Sequence, residues 1–375
     1  MRLTDTAKPA YRRLTAVNWG MLVAGAIDYN VNAHFRTLPP KQLQLISNYR
    51  CNARCQMCNI WQKPDRHEFS VSEFAAIMDT DPVFDGIEQL TIAGGESSLR
   101  NDLVELAAYL VGRMPHLRIL SLVSNGFLPK RILEQTEAIL ELLGQRGIRL
   151  SMSVSIDGDQ EMHDRVRGIP GGHERALETL AGLRLLNQKY DFWLGIGFVV
   201  MHQNLHQAQG FRDWARGQGL PVGFQLVGFH SSYVGNLDRQ NEVDFRPEDR
   251  GSLVTLMEEL ASERSLRNFP AFYWHDMVRM VRDGAPRRTP CPFALEGLVL
   301  DAYGDVYYCL STPAIGNVIA EGRSAGEIYH DPKNLRYRAE QMVRNACLSC
   351  NSACGTETAL KKDVKKYLKF LVTGQ

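Results

Sequence analysis

Charge of one sign is what this sequence most lacks: 43 Lys and Arg stand against 42 Asp and Glu, a formal net charge of +1. Nothing global therefore steers the chain toward nucleic acid or an anionic membrane. Long apolar runs are also missing. The most apolar early stretch, Gly20 to Ile27, is too short to span a bilayer, and Met1-Arg2-Leu3-Thr4-Asp5-Thr6 has no signal-peptide layout. Internal repeats and low-complexity tracts are absent as well. No cysteine lies between Cys58 and Cys291. The eight cysteines fall instead into two groups, which is not the spread of a disulfide framework. These absences lead to the expectation of a soluble protein of the reducing cytoplasm, without a membrane span and without a nucleic-acid partner.

What is present has the organisation of an α/β protein. Apolar runs at Leu43–Ser47, Gln89–Ile92, Arg118–Val123, Leu150–Ile156, Trp193–Val200 and Val222–Val227 read as strands. Between them, Val71–Met78, Asp102–Arg113, Lys130–Gln145, Glu174–Gln188 and Leu205–Arg216 carry helical periodicity. Ser70 and Asn101 or Asp102 are the expected N-caps. Six strands joined by helical crossovers predict a parallel sheet with right-handed connections. A mildly amphipathic segment, Tyr11 to Phe35, precedes them and is closed by Pro39-Pro40. After residue 230 the pattern loosens into a polar connector, a helix Arg250–Ala261 and an aromatic piece Phe269–His275. The division expected is 1–41 helical segment, 42–230 core, 231–290 connector, 291–355 cysteine-bearing extension and 356–375 basic helix. Lys361, Lys362, Lys365, Lys366 and Lys369 give that last helix a solvated face.

The first cysteine group, Cys51-x3-Cys55-x2-Cys58, follows directly on the first strand. Three thiolates on one short loop can hold three corners of a 4Fe–4S cluster and leave its fourth iron open to a small molecule. This spacing is the signature of the radical S-adenosylmethionine (radical SAM) family, and the chain resembles a member of it. The resemblance implies a partial (β/α)6 TIM-type barrel with its chemistry at the C-terminal strand ends. It also implies a cluster held by Cys51, Cys55 and Cys58 that binds S-adenosylmethionine (SAM), with flavodoxin or ferredoxin as reductant. Ala93-Gly94-Gly95-Glu96 matches the family's second motif, which binds the SAM ammonium. Ser124-Asn125 offers short polar groups at a strand end suited to ribose hydroxyls. By position, Ser155 and Arg165 take the carboxylate and ribose, with Arg167 close enough in sequence to be confused with Arg165. Ile60 and Val200 fall where the family packs adenine. Met57 is a departure, because many members carry an aromatic residue before the third cysteine.

The second group adds Cys291-x12-Gly304-x4-Cys309, with Gly304-Asp305 as a hairpin turn between Leu298–Ala302 and Val306–Tyr308. Cys347-x2-Cys350-x3-Cys354 follows. This resembles the SPASM/twitch extension of radical SAM enzymes, a β-hairpin plus helix carrying an auxiliary 4Fe–4S cluster. The shorter twitch form implies Cys291, Cys309, Cys347 and Cys350 as ligands of one auxiliary cluster. Cys354 is left over, with three roles open to it: spare ligand, structural thiol, or hydrogen-atom donor to a substrate radical. The rival for the group is a tetrahedral zinc site.

The resulting expectation is a radical SAM oxidoreductase that abstracts hydrogen from a small metabolite or natural-product precursor, its auxiliary cluster taking up an electron. Crosslinking or epimerisation of a ribosomally made peptide is the alternative, and a non-catalytic zinc or iron–sulfur protein is the alternative of another class. Gln225, His230, Tyr273, His275 and Asp276 are positional candidates for substrate contact, and His202 is unassigned.

Overall fold

The computed structural model describes residues 19–265, 268–354 and 361–374. Six strands, β1 Gln42–Asn48, β2 Gln89–Gly94, β3 Ile119–Ser124, β4 Arg149–Ser155, β5 Trp193–Val200 and β6 Val222–Leu226, pair in parallel in chain order. Helices occupy each crossover, including Val71–Met78, Leu103–Arg113, Pro129–Gly144, Gly172–Tyr190 and Ala208–Gly217. This is the partial-barrel order expected from the strand pattern. Ser70 caps its helix reciprocally with Glu73, each side chain bonding the other's backbone N–H. Asp102 occupies its N-cap position without capping; its carboxylate takes Arg100 instead, at 2.7 Å.

The strands show why the sheet leaves room inside. In β4 the helix-facing residues Leu150, Met152 and Val154 are buried, whereas the alternate Ser151, Ser153 and Ser155 are half-buried. Register places Ser153 opposite Gly195 and Ser155 opposite Gly197 on β5. Small polar side chains and glycines therefore line the face turned away from the helices, and apolar ones fill the layer between sheet and helices.

The sheet does not stop at six strands. β7 Gly297–Asp301 pairs in parallel with β1, with Leu45 opposite Leu300, and β8 Asp305–Tyr307 and β9 Gly316–Asn317 continue antiparallel. The order is β6-β5-β4-β3-β2-β1-β7-β8-β9. The expected hairpin is thus present, but as a direct extension of the barrel sheet. β7 is buried along its whole length, as befits a strand with neighbours on both sides.

Elsewhere the sequence pattern needs correction. The aromatic piece is the start of a regular helix, Phe269–Asp283. Gln160–Arg167, read only as a run of motif residues, is a helix with Asp159 as its N-cap and Gly168 in the left-handed conformation at its end. In the N-terminal segment the helix is Trp19–Asn30 with a single turn at Asn32–His34; Tyr11–Asn18 lie outside the described residues. The C-terminal helix is Val364–Thr373; of the expected 356–375 span, residues 356–360 also lie outside the described residues. It buries Tyr367 and Phe370 against Ala271 and Phe272 and leaves its lysines outward. Among the described residues no helix is long and apolar enough to cross a membrane.

Candidate functional site

β1 delivers the chain to Cys51 at its C-terminal end, and the loop that follows is held from two sides. Arg54 N–H donates to Arg167 O and Gln56 N–H to Val166 O, both at 2.9 Å. Gly168 makes this approach possible, since a Cβ there would lie 2.5 Å from Arg54 O. From the other side comes a strap, residues 228–236, that leaves the end of β6. Asn236 Nδ2 donates to Met57 O at 2.8 Å, Asn59 N–H to Val234 O at 2.9 Å and Lys63 Nζ to Ser232 O at 2.8 Å. Cys55 is buried, while Cys51 and Cys58 are half-buried. Burial pushes the Cys51 thiol up to about 11 and the Cys58 thiol to about 12, with neighbouring thiols adding to both. Such a setting favours thiolates only against a bound cation.

These thiols open onto a cavity of about 160 Å³. Ile60, Gly94, Gly95, Glu96, Ser124, Asn125, Ser155, Arg167 and Tyr233 line it. Glu96 is fully engaged: it accepts from Ser124 Oγ at 2.9 Å, Asn125 N–H at 2.7 Å and Ser98 N–H at 3.2 Å. Its carboxylate ties together the ends of β2 and β3, while burial raises its pKa. At β2 the acceptor facing inward is Gly94 O, taken by Tyr233 Oη at 2.7 Å. The Gly95 backbone lies so close to the cysteine loop that a Cβ would stand 2.2 Å from Arg50 O. Gly95→Ala should therefore cost about 1–3 kcal/mol, read as a lower midpoint in urea unfolding; an unchanged midpoint would show that this contact is not tight.

Two residues expected at the site are elsewhere. Arg165 points to solvent and pairs with Glu161 at 2.5 Å, one helical turn back. Arg167 takes the place expected of it: buried, its Nε donates to Asp157 Oδ2 at 2.6 Å and its Nη1 lies 3.7 Å from Cys55 Sγ. Burial opposes its charge, but Asp157 and the Cys55 thiol together hold the guanidinium protonated. Val200 is fully buried on the helix-facing side of β5; alternation turns Val199 inward instead. Tyr233 and Asn236 were not anticipated, and an aromatic and an amide within a polar connector gave no periodic signal for them.

The second group of thiols shares a packing cluster with the first. Cys51 and Cys58 pack against a small cluster of Ile46, Tyr49, Ile60, Phe293, Val299 and Tyr307, and Cys291 and Cys309 pack against the same cluster. Cys309 and Cys350 each accept the N–H two residues on, at 3.4 Å, as Cys51 does. Cys347 feels the charges of Cys291 and Cys350, so it belongs to the same gathering. Cys354 is an exposed residue whose thiol nonetheless faces Cys291, Cys309 and Cys350, and burial drives its pKa upward. Among the described residues no three His, Cys, Asp or Glu side chains converge on a single-ion site. The donors present are sulfur throughout, which suits iron–sulfur chemistry. Of the substrate candidates, Tyr273 is buried with its hydroxyl on Asn351 O at 2.5 Å, and Asp276 is buried holding Arg288 and Thr289. His275 packs on Phe370 and Gln225 is exposed on β6. His230 stays on the strap, and His202 pairs with Asp249 at 2.7 Å.

Residues 45–215 match the family model described as the radical SAM superfamily. A PqqA peptide cyclase from Rhizobium meliloti (strain 1021) is 30% identical over 330 residues, covering 84% of this chain and 80% of the relative. The chain belongs to the radical SAM superfamily. As a radical SAM enzyme it uses a 4Fe–4S cluster and SAM, which sets aside the non-catalytic alternative. An Fe-coproporphyrin III synthase from Methanosarcina barkeri (strain Fusaro / DSM 804) is 28% identical over 224 residues, 59% of this chain and 52% of the relative. Against that synthase and the heme synthases related to it, the chain spans about half of the relative's length. Among solved structures, Streptococcus suis SuiB bound to S-adenosylmethionine superposes with a TM-score of 0.56 at 13% identity, covering 88% of this chain and 74% of SuiB. That likeness shows the radical SAM fold.

Proposed function

We propose that this radical SAM enzyme removes a hydrogen atom from a C–H bond of a small metabolite or natural-product precursor and completes a net oxidation. Cys51, Cys55 and Cys58 hold the SAM-binding cluster. The Gly94 carbonyl, Ser124, Asn125, Ser155 and Arg167 offer polar contacts for SAM, with Ile60 as apolar wall, and Glu96 fixes the strand ends that present them. Cys291, Cys309, Cys347 and Cys350 hold an auxiliary 4Fe–4S cluster. Cluster and SAM together supply a one-electron route to hydrogen abstraction from an unactivated C–H bond. The chain's own part is to exclude water and stray hydrogen donors from the cavity. Flavodoxin or ferredoxin of the cytoplasm is the reductant, and Cys354 stands as a hydrogen-atom donor only if the outcome is redox-neutral.

The observation that carries the small-substrate reading is the strap. Residues 228–236 fold across the cysteine loop and put Tyr233 into the cavity, which narrows the room left there for an extended chain. A second reading, peptide modification, is favoured by the match to the PqqA peptide cyclase, which covers most of the chain. The two separate in one assay. Reconstituted enzyme, SAM and dithionite are mixed with the low-molecular-mass filtrate of a cell extract, with and without prior protease treatment. The filtrate is expected to raise 5′-deoxyadenosine formation at least about tenfold, a barrier change of about 1.4 kcal/mol, and protease should not diminish it. Stimulation destroyed by protease would assign the peptide reading instead.

A further inference from the structure

Each thiol group has one buried guanidinium beside it, and the two differ in a way that bears on electron flow. Arg167, beside Cys55, is neutralised by Asp157. Arg287, beside the second group, is 7% exposed and enters no ion pair among the described residues. Its position is nevertheless fixed on every other side. The backbone N–H donates to Leu348 O at 2.8 Å, Nε to Thr289 O at 2.9 Å, and Nη1 to Cys350 O at 3.2 Å and Ser352 O at 2.8 Å. Asp276 locks the next two residues by accepting the N–H groups of Arg288 and Thr289, each at 2.6 Å. The Tyr273 ring lies 5.6 Å from the guanidinium carbon. Only Nη2 remains, buried and without a partner among the described residues. The acidic groups it feels most are the thiols of Cys350, Cys291 and Cys354 and the phenol of Tyr273.

A buried cation needs an anion, because an unpaired charge in the interior costs several kcal/mol. With its carbonyl contacts already made, Arg287 has one nitrogen left, Nη2 with two N–H groups, and thiols among the acidic groups nearest it. We propose that Arg287 is the counter-ion of the auxiliary centre: its unpartnered Nη2–H groups are left for the sulfur of the assembled centre, and its full positive charge holds the centre's reduction potential up. This rests on the reading of Cys291, Cys309, Cys347 and Cys350 as ligands of an auxiliary cluster. Reduction adds negative charge, so a nearby uncompensated cation and an N–H···S bond both favour the reduced form. Arg287 is a positioning residue, since it acts on the centre and not on substrate. Asp157 cancels the charge of Arg167 beside the first centre and leaves only its long Nη1–H···Sγ contact to Cys55, at 3.7 Å, so the charge bias is the larger at the second centre, which becomes the better electron acceptor.

The test uses the full chain carrying Cys51→Ala, Cys55→Ala and Cys58→Ala, so that any remaining iron belongs to the second group. Iron content and a dithionite titration followed by electron paramagnetic resonance are compared for Arg287, Arg287→Lys and Arg287→Gln. Arg287→Gln is expected to keep its iron and to shift the one-electron equilibrium at least tenfold toward the oxidised form, a fall of ~59 mV or more. Arg287→Lys should retain most of the original potential. Iron lost from Arg287→Gln but kept by Arg287→Lys would equally support a counter-ion. An unshifted Arg287→Gln, or iron lost from both variants, would overturn the proposal. If the background variant binds no iron even with Arg287 in place, the auxiliary-cluster reading itself has failed, and the iron count alone distinguishes that case.

Discussion

Cys55→Ala will reduce 5′-deoxyadenosine formation to background and lower the iron content from about eight to about four per chain. Cys55 is the most enclosed of its three thiols and the one that faces Arg167. Two thiolates cannot retain a cluster that three already leave incomplete. The fold should survive: the loop is held by backbone bonds from Arg54 and Gln56 to the Arg167 and Val166 carbonyls, none of which uses the thiol. The four irons expected to remain belong to the group at Cys291–Cys350. Iron counting and product detection after anaerobic reconstitution decide the matter, with far-UV circular dichroism as the control for folding. A variant that kept all its iron, or still cleaved SAM, would remove Cys55 from the cluster.

The second large effect falls on stability. Arg167→Met should lower the unfolding free energy by about 3–5 kcal/mol, because Asp157 is fully buried and would lose its cation. Arg165→Ala should change it by less than about 0.5 kcal/mol, as an exposed i,i+4 pair contributes little. Urea unfolding followed by tryptophan fluorescence measures both. Adding Asp157→Asn to Arg167→Met should recover part of the loss, since the buried charge then disappears with its partner. Equal midpoints for the two single variants would mean that the Arg167–Asp157 pair does not anchor the site.

That contrast also shows where the sequence was legible and where it was not. The strands and most crossover helices could be read because a half-buried strand alternates and an amphipathic helix repeats at 3.6, both local patterns. Arg165 and Arg167 could not be told apart while their segment was taken as a string of motif residues. On a helix two positions apart lie on opposite faces: His163, Val166 and Arg167 turn inward, and Arg165 meets Glu161 outside. The signal was there, in Asp159 as cap and Gly168 as terminator. Asn268 and Pro270 similarly announced the helix Phe269–Asp283. The same alternation would have favoured Val199 over Val200. The pairing of β7 with β1 had no local signature, since register between segments some 250 residues apart is set only by the assembled core.

That shared edge has a mechanical consequence. Cys51 follows β1, while Cys291 precedes β7 and Cys309 follows the strand that turns back from it. Because β7 runs parallel to β1, Cys51 lies beyond one end of the paired strands and Cys291 before the other, so the span between the two sulfur sites is set by the length of paired strand and not by a tether. An electron passing from one to the other would meet the same distance at every turnover.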